Sequence, residues 1–232
     1  MEAIVLAGGL GTRLRGVIDD VPKPMAPVQG RPFLAFVLDQ LADSGFHTAI
    51  LATGYRHDAI RAHFADDYHG LALVYSVEGE PLGTGGAIRL ACGHVHARDV
   101  FVLNGDTYLE LDYRAMLDAH VRAAAQLSLA VCEVPDVARY GALDVSEGIV
   151  RGFREKGQSG PGPINGGTYV LGAALRDRLP VRAAFSFEQD LLVPDVRTIQ
   201  PLAFPATGLF IDIGIPEDYA KAEQLFYQRT AR

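Results

Sequence analysis

The stretch IVLAGGLGTRL, Ile4 to Leu14, is followed by PKP at Pro22 to Pro24. Ile4, Val5 and Leu6 form the short apolar run of a buried strand, and a glycine-rich turn follows at once. Such a turn at the carboxyl end of a parallel strand exposes backbone N–H groups that can cradle phosphate, so a nucleotide is the expected ligand. Two familiar glycine motifs fail on the letters. A Walker loop needs a Gly-Lys pair, and there is none; the dinucleotide fingerprint needs a third glycine where Leu14 stands. Arg13 instead adds a permanent cation that can fork two phosphate oxygens, which suits a triphosphate. Lys23, between Pro22 and Pro24, sits in an extended segment and offers a second pre-set cation.

Outward from this stretch, apolar runs alternate with amphipathic ones, the rhythm of a parallel sheet with crossover helices. RPFLAFVLDQLADSG reads as a helix with Pro32 at its start and Gly45 past its end; HTAILAT and LALVYS read as strands around the helix RHDAIRAHFADD. A helix near GTGGAIRLAC, a strand DVFVLNGD and a helix DYRAMLDAHVRAAA complete this half. From Gln126 the rhythm loosens: QLSLAVCEV, GALDVS, GIVRGFRE, NGGTYVLG, TIQPLAFP and GLFIDIG are strand-like, and AALRDRL, SFEQDLL and PEDYAKAEQLFYQRTA helical. EKGQSGPGPING is expected as a surface loop. One domain over 1–232 is expected, with a nucleotide-binding half at about 1–125 and a sugar-binding half at about 126–232.

Composition sets bounds. At 232 residues and 49% hydrophobic content the chain can bury a large core. A net charge of −7 argues against a nucleic-acid surface, so a phosphate ligand needs a local site. No apolar run approaches the roughly 20 residues of a membrane helix, and MEAIVLAGG lacks the basic segment of a signal peptide, so no membrane partner and a cytoplasmic location are expected. Cys92 and Cys132 read as small buried residues, not as a disulfide or zinc site. His94 and His96 lack further ligands nearby, and His57, His63 and His69 read as solvated.

LAGGLGTRL with PKPMAPV resembles the signature of the sugar-1-phosphate nucleotidylyltransferases, the nucleoside-diphosphate-sugar pyrophosphorylases, and further similar segments cover most of the chain. The resemblance implies an α/β, Rossmann-like nucleotidyltransferase fold: three α/β/α layers around a mixed, mostly parallel sheet. It implies transfer of a nucleoside monophosphate from a nucleoside triphosphate to a sugar 1-phosphate, with pyrophosphate leaving. Arg13, Lys23 and Asp106 are then the catalytic candidates, and Asp106 and Asp212 the paired ligands of Mg²⁺. Leu6, Ala7, Gly8, Gly9, Gly11, Thr12 and Arg13 would hold the nucleotide, joined by Glu78, Pro81, Gly83, Thr84, Asn104 and Gly105. Tyr140, Gly141, Glu155, Lys156, Asn165, Gly166, Tyr169 and Glu188 would meet the sugar phosphate. In physical terms Glu155 and Asn165 can bind hydroxyls and Lys156 a phosphate.

The length leaves no room for the C-terminal β-helix of the acetyltransferase-linked members. LGTGGAI and LNGDTY look most like the D-glycero-D-manno-heptose 1-phosphate guanylyltransferases, which use GTP, with N-acetylmuramate 1-phosphate uridylyltransferases and mannose 1-phosphate guanylyltransferases as rivals. A non-catalytic sensor or scaffold subunit is the alternative of another class, and the intact Arg13, Lys23, Asp106 and Asp212 argue against it. A homodimer is compatible with the sequence, which does not fix the oligomeric state.

Overall fold

A computed structural model of the chain describes residues 1–9, 21–182 and 184–230. Strand β1 (Glu2–Leu6) sends Ala3 and Val5 into one apolar cluster and Ile4 into another. A strand buried on both faces needs a covering layer on each. Next come the short pair β2 (Pro27–Val28) and β3 (Arg31–Pro32), then α1 (Phe33–Asp43), β4 (Thr48–Thr53), α2 (His57–Phe64), β5 (Asp67–Tyr68), β6 (Leu71–Val77) and α3 (Gly83–Ala91). In α1, Phe33, Leu34, Val37, Leu38 and Leu41 recur at helical spacing and are buried, which fixes the face that packs on the sheet.

The chain continues through β7 (Val100–Asn104), β8 (Thr107–Leu109), α4 (Tyr113–Arg122), β9 (Leu127–Val134), β10 (Leu143–Ser146), β11 (Ile149–Phe153) and β12 (Gly162–Leu171). The remaining elements are α5 (Ala173–Arg176), α6 (Val193–Ile199), β13 (Leu202–Ala206), β14 (Phe210–Asp212) and α7 (Pro216–Thr230). Ten strands form one sheet in the order β10-β11-β13-β9-β12-β7-β1-β4-β6-β5. Its pairing directions set seven strands, β6, β4, β1, β7, β9, β13 and β10, one way and β12, β11 and β5 the other. The sheet is therefore mixed: most strands run one way, as expected, but five of its nine pairings are antiparallel and four parallel. Residues of α1, α2, α4 and α7 join the cluster on one face, and residues of α3, α5 and α6 join the other, giving three layers. No described helix is long and apolar enough to cross a membrane.

Three departures from the sequence reading matter. In TIQPLAFP, Thr198 and Ile199 end α6, and only Leu202–Ala206 is strand. Val196 and Ile199 sit one helical turn apart and are both buried, so packing overrides local strand propensity. GLFIDIG does form a strand, but β14 pairs outside the main sheet with β8, a three-residue strand the letters do not reveal. Finally, β12 begins at Gly162, inside the expected loop.

Candidate active site

The carboxyl ends of β1, β4, β6 and β7 lie side by side because these strands are parallel and adjacent in register. Their loops wall a cavity of about 680 Å³. Leu6, Gly8, Gly9, Lys23, Glu78, Pro81, Gly83, Thr84, Asn104 and Asp106 line it, so most residues expected around a nucleotide do meet. Gly54 and Tyr55 line it as well, and the sequence reading passed them over. Ala7 and Gly105 stand behind the wall. Ala7 N–H donates to Ala52 O and Gly105 N–H to Leu6 O, and a Cβ on Gly105 would lie 2.7 Å from that same oxygen. Only glycine lets the loop after β7 approach β1 so closely. Gly11, Thr12 and Arg13 fall outside the described residues.

At one end of the cavity, Glu78 carboxylate Oε2 accepts from Leu82 N–H at 2.9 Å. Burial raises the Glu78 pKa above the usual carboxylate range, and the Leu82 bond opposes that shift. At the other end is a charged centre. Lys23 Nζ donates to Asp106 Oδ2 and lies 3.8 Å from Asp212 Oδ1. Asp106 directly precedes β8 and Asp212 ends β14; Asp212 stands opposite Thr107, and Ile213 N–H donates to Asp106 O. This small antiparallel pair holds together two carboxylates from opposite halves of the chain. Among the described residues, Asp212 Oδ1 is buried without a hydrogen-bond partner, with Lys23 Nζ 3.8 Å away. Burial first, then the neighbouring Asp106, raises the Asp212 pKa, against Lys23, Arg139 and the Gly214 N–H.

Two paired carboxylates with an unsatisfied buried oxygen are a donor set that fits a divalent cation such as Mg²⁺. Asp212 is held from behind by residues the sequence reading missed. Arg139 donates to Asp212 Oδ2 at 3.2 Å and pairs with Asp218, which also binds Lys221 at 2.7 Å. Asp218 is buried on the first turn of α7, where an acidic residue is ordinary, so the letters did not single it out.

The residues expected to meet the sugar form two groups outside the lining of this cavity. Asn165 Nδ2 donates to Glu188 Oε2 at 2.8 Å and to Tyr169 Oη at 2.7 Å, while its Oδ1 accepts from Gly167 N–H. These bonds fall where the β12–β9 register shifts between Asn165 and Tyr169, an irregularity that re-aims side chains. Tyr169 is buried, and Gly166 faces Cys132, Leu109 and Ala130, so both stand behind the surface. In the second group, Tyr140 and Gly141 lie against the exposed loop of Glu155 and Lys156. Arg154 N–H donates to Ala142 O and Gly157 N–H to Ala138 O, which laces the two loops together. The Tyr140 ring packs between the Arg139 guanidinium and Phe210.

The chain as a whole is similar to known proteins. The D-glycero-alpha-D-manno-heptose 1-phosphate guanylyltransferase of Aneurinibacillus thermoaerophilus is 42% identical over 224 residues, 97% of each chain. That of Campylobacter jejuni is 40% identical, covering 94% of this chain and 97% of its own. The crystal structure of HddC from Yersinia pseudotuberculosis complexed with GMP-PN superposes with a TM-score of 0.86 at 41% identity, covering 97% of this chain and 99% of that one. The family model for nucleotidyl transferase matches residues 2–229, and the chain belongs to that family.

Proposed function

We propose that the chain transfers a guanylyl group from GTP to D-glycero-alpha-D-manno-heptose 1-phosphate, giving GDP-heptose and pyrophosphate. The observation that carries the reading is the Lys23–Asp106–Asp212 centre at the end of a glycine-walled cavity, in a chain similar throughout to enzymes of that name. In this reaction an oxygen of the sugar phosphate attacks the α-phosphorus of GTP, the bond from that phosphorus to the bridging oxygen breaks, and pyrophosphate leaves. Alignment and charge neutralisation supply most of the rate for such transfers. Lys23, with Arg13, would offset the charge of the triphosphate. Asp106 and Asp212 would hold Mg²⁺, which when bound neutralises phosphate charge. Asn165 and Glu188, with the loops of Tyr140–Gly141 and Glu155–Lys156, would receive the sugar phosphate.

The choice of guanine rests on Glu78. An ionised carboxylate only accepts hydrogen bonds, and guanine presents two adjacent donors, N1–H and the N2 amino group, where uracil and thymine present one donor between two carbonyls. We place the reaction in the cytoplasm with its nucleotide substrate. The test is pyrophosphate release with Mg²⁺, crossing GTP, UTP, ATP, CTP and dTTP with heptose, mannose, glucose and N-acetylmuramate 1-phosphates. Release with GTP and heptose 1-phosphate is expected. A different productive pair would replace the substrates, and silence from folded protein would favour a sensor or scaffold role.

A further inference from the structure

The start of α3 is tied to a segment a hundred residues further along the chain. Phe185 N–H donates to Leu82 O and Gly85 N–H to Phe185 O, each at 2.9 Å, so a helix-start donor is satisfied by a distant carbonyl. Thr84 faces the cavity, but its Oγ1 accepts from Phe187 N–H at 2.9 Å. The fit is tight: a Cβ on Gly85 would lie 2.1 Å from the Phe185 ring, and Gly83 takes φ +67 with its Cβ direction 2.6 Å from Phe185 O. Phe185 and Phe187 are both buried. The Phe187 ring packs edge-on against Tyr169 at 5.3 Å, and the next residue, Glu188, is held by Asn165.

We infer that Thr84 and Phe185 are positioning residues, through which the loop that holds the base sets the placement of Glu188 on the sugar side. The inference rests on the proposed nucleotide site and deepens it. Thr84 thereby acts on the acceptor substrate as well as lining the nucleotide cavity. Backbone bonds at 82–85 and a hydroxyl bond at Thr84 form one contiguous path, and anything that stiffens loop 78–85 also stiffens 185–188.

Hydrogen exchange with Mg²⁺ and guanosine 5′-(β,γ-imido)triphosphate reads this without any sugar. In the wild type the nucleotide should slow exchange in both 78–85 and 185–192. Thr84→Val, which keeps the shape but loses the acceptor, should keep the first protection and lose most of the second, by about fivefold for one hydrogen bond. Thr84→Ser should retain both. In turnover, Thr84→Val should raise the sugar 1-phosphate KM about fivefold, more than it raises the GTP KM, and its effect on the former should not multiply with that of Glu188→Gln. Protection confined to 78–85 in the wild type, or multiplicative effects in the double variant, would overturn the inference alone. No protection anywhere would count against the nucleotide site, and the inference would fall with it.

Discussion

The two halves of the site are built by different means. On the nucleotide side, Gly8, Gly9, Gly54, Glu78, Asn104 and Asp106 each stand within three residues of the end of a parallel strand, and register alone brings them to one edge. On the sugar side, Asn165 sits at a register shift, Glu188 opens a π-helical turn, and Tyr140 and Lys156 lie on laced loops. Parallel strand ends deliver neighbouring loops to one place whatever their side chains. The mixed region depends on individual bonds, so single substitutions there should change one substrate's binding selectively.

The largest effect should come where the halves meet. Asp106→Ala and Asp212→Ala should each lower kcat by about 100- to 1000-fold, measured as pyrophosphate release from protein with native circular dichroism. Near-normal turnover in either variant would remove that carboxylate from the shared centre. Gly105→Ala pushes β7's loop off β1 and should lower unfolding free energy by about 2 kcal/mol in urea melts, a cost set by backbone contact. An unchanged midpoint would show that the nucleotide wall tolerates displacement. Asn165→Ala should instead raise the sugar 1-phosphate KM about tenfold through a misplaced Glu188, leaving the GTP KM close to wild type. Equal changes in both constants would erase the distinction between the halves.

The smallest effect concerns Glu78, whose carboxyl is pushed above its usual range by burial. A raised acid binds more protons in the folded state than in the unfolded one between its usual and its raised pKa, so its contribution to stability falls as pH rises through that window. Glu78→Gln should therefore lose less melting temperature than wild type between pH 4 and pH 7, while its preference for GTP over UTP weakens. Parallel melting profiles would show that the carboxylate is not desolvated in solution.

How much of this was legible follows the same division. Gly8, Gly9, Glu78, Asn104 and Asp106 could be placed along one cavity because each lies beside the end of its own strand in the letters. The joining of Asp106 to Asp212 depends on pairing β14 with β8, and β8 has three residues, too few for periodicity to register. Arg139 and Asp218 form a pair between a loop and a helix far apart in sequence, and neither has a motif of its own. Thr84 was read as a nucleotide contact, yet its hydroxyl accepts a bond from Phe187, a partner that only the folded chain brings within reach. The three-layer fold was readable in outline, while α6 escaped because Pro194 and the β-branched Val193, Val196 and Ile199 resemble a strand with a breaker.

The claim on which the rest depends is that carboxylates from both halves share one cation. Electron paramagnetic resonance of Mn²⁺ with a non-hydrolysable GTP analogue, on wild type, Asp106→Asn and Asp212→Asn, tests it directly. Loss of the tightly bound ion in both variants, to a similar degree, is the predicted result; wild-type Mn²⁺ affinity in Asp212→Asn would contradict it.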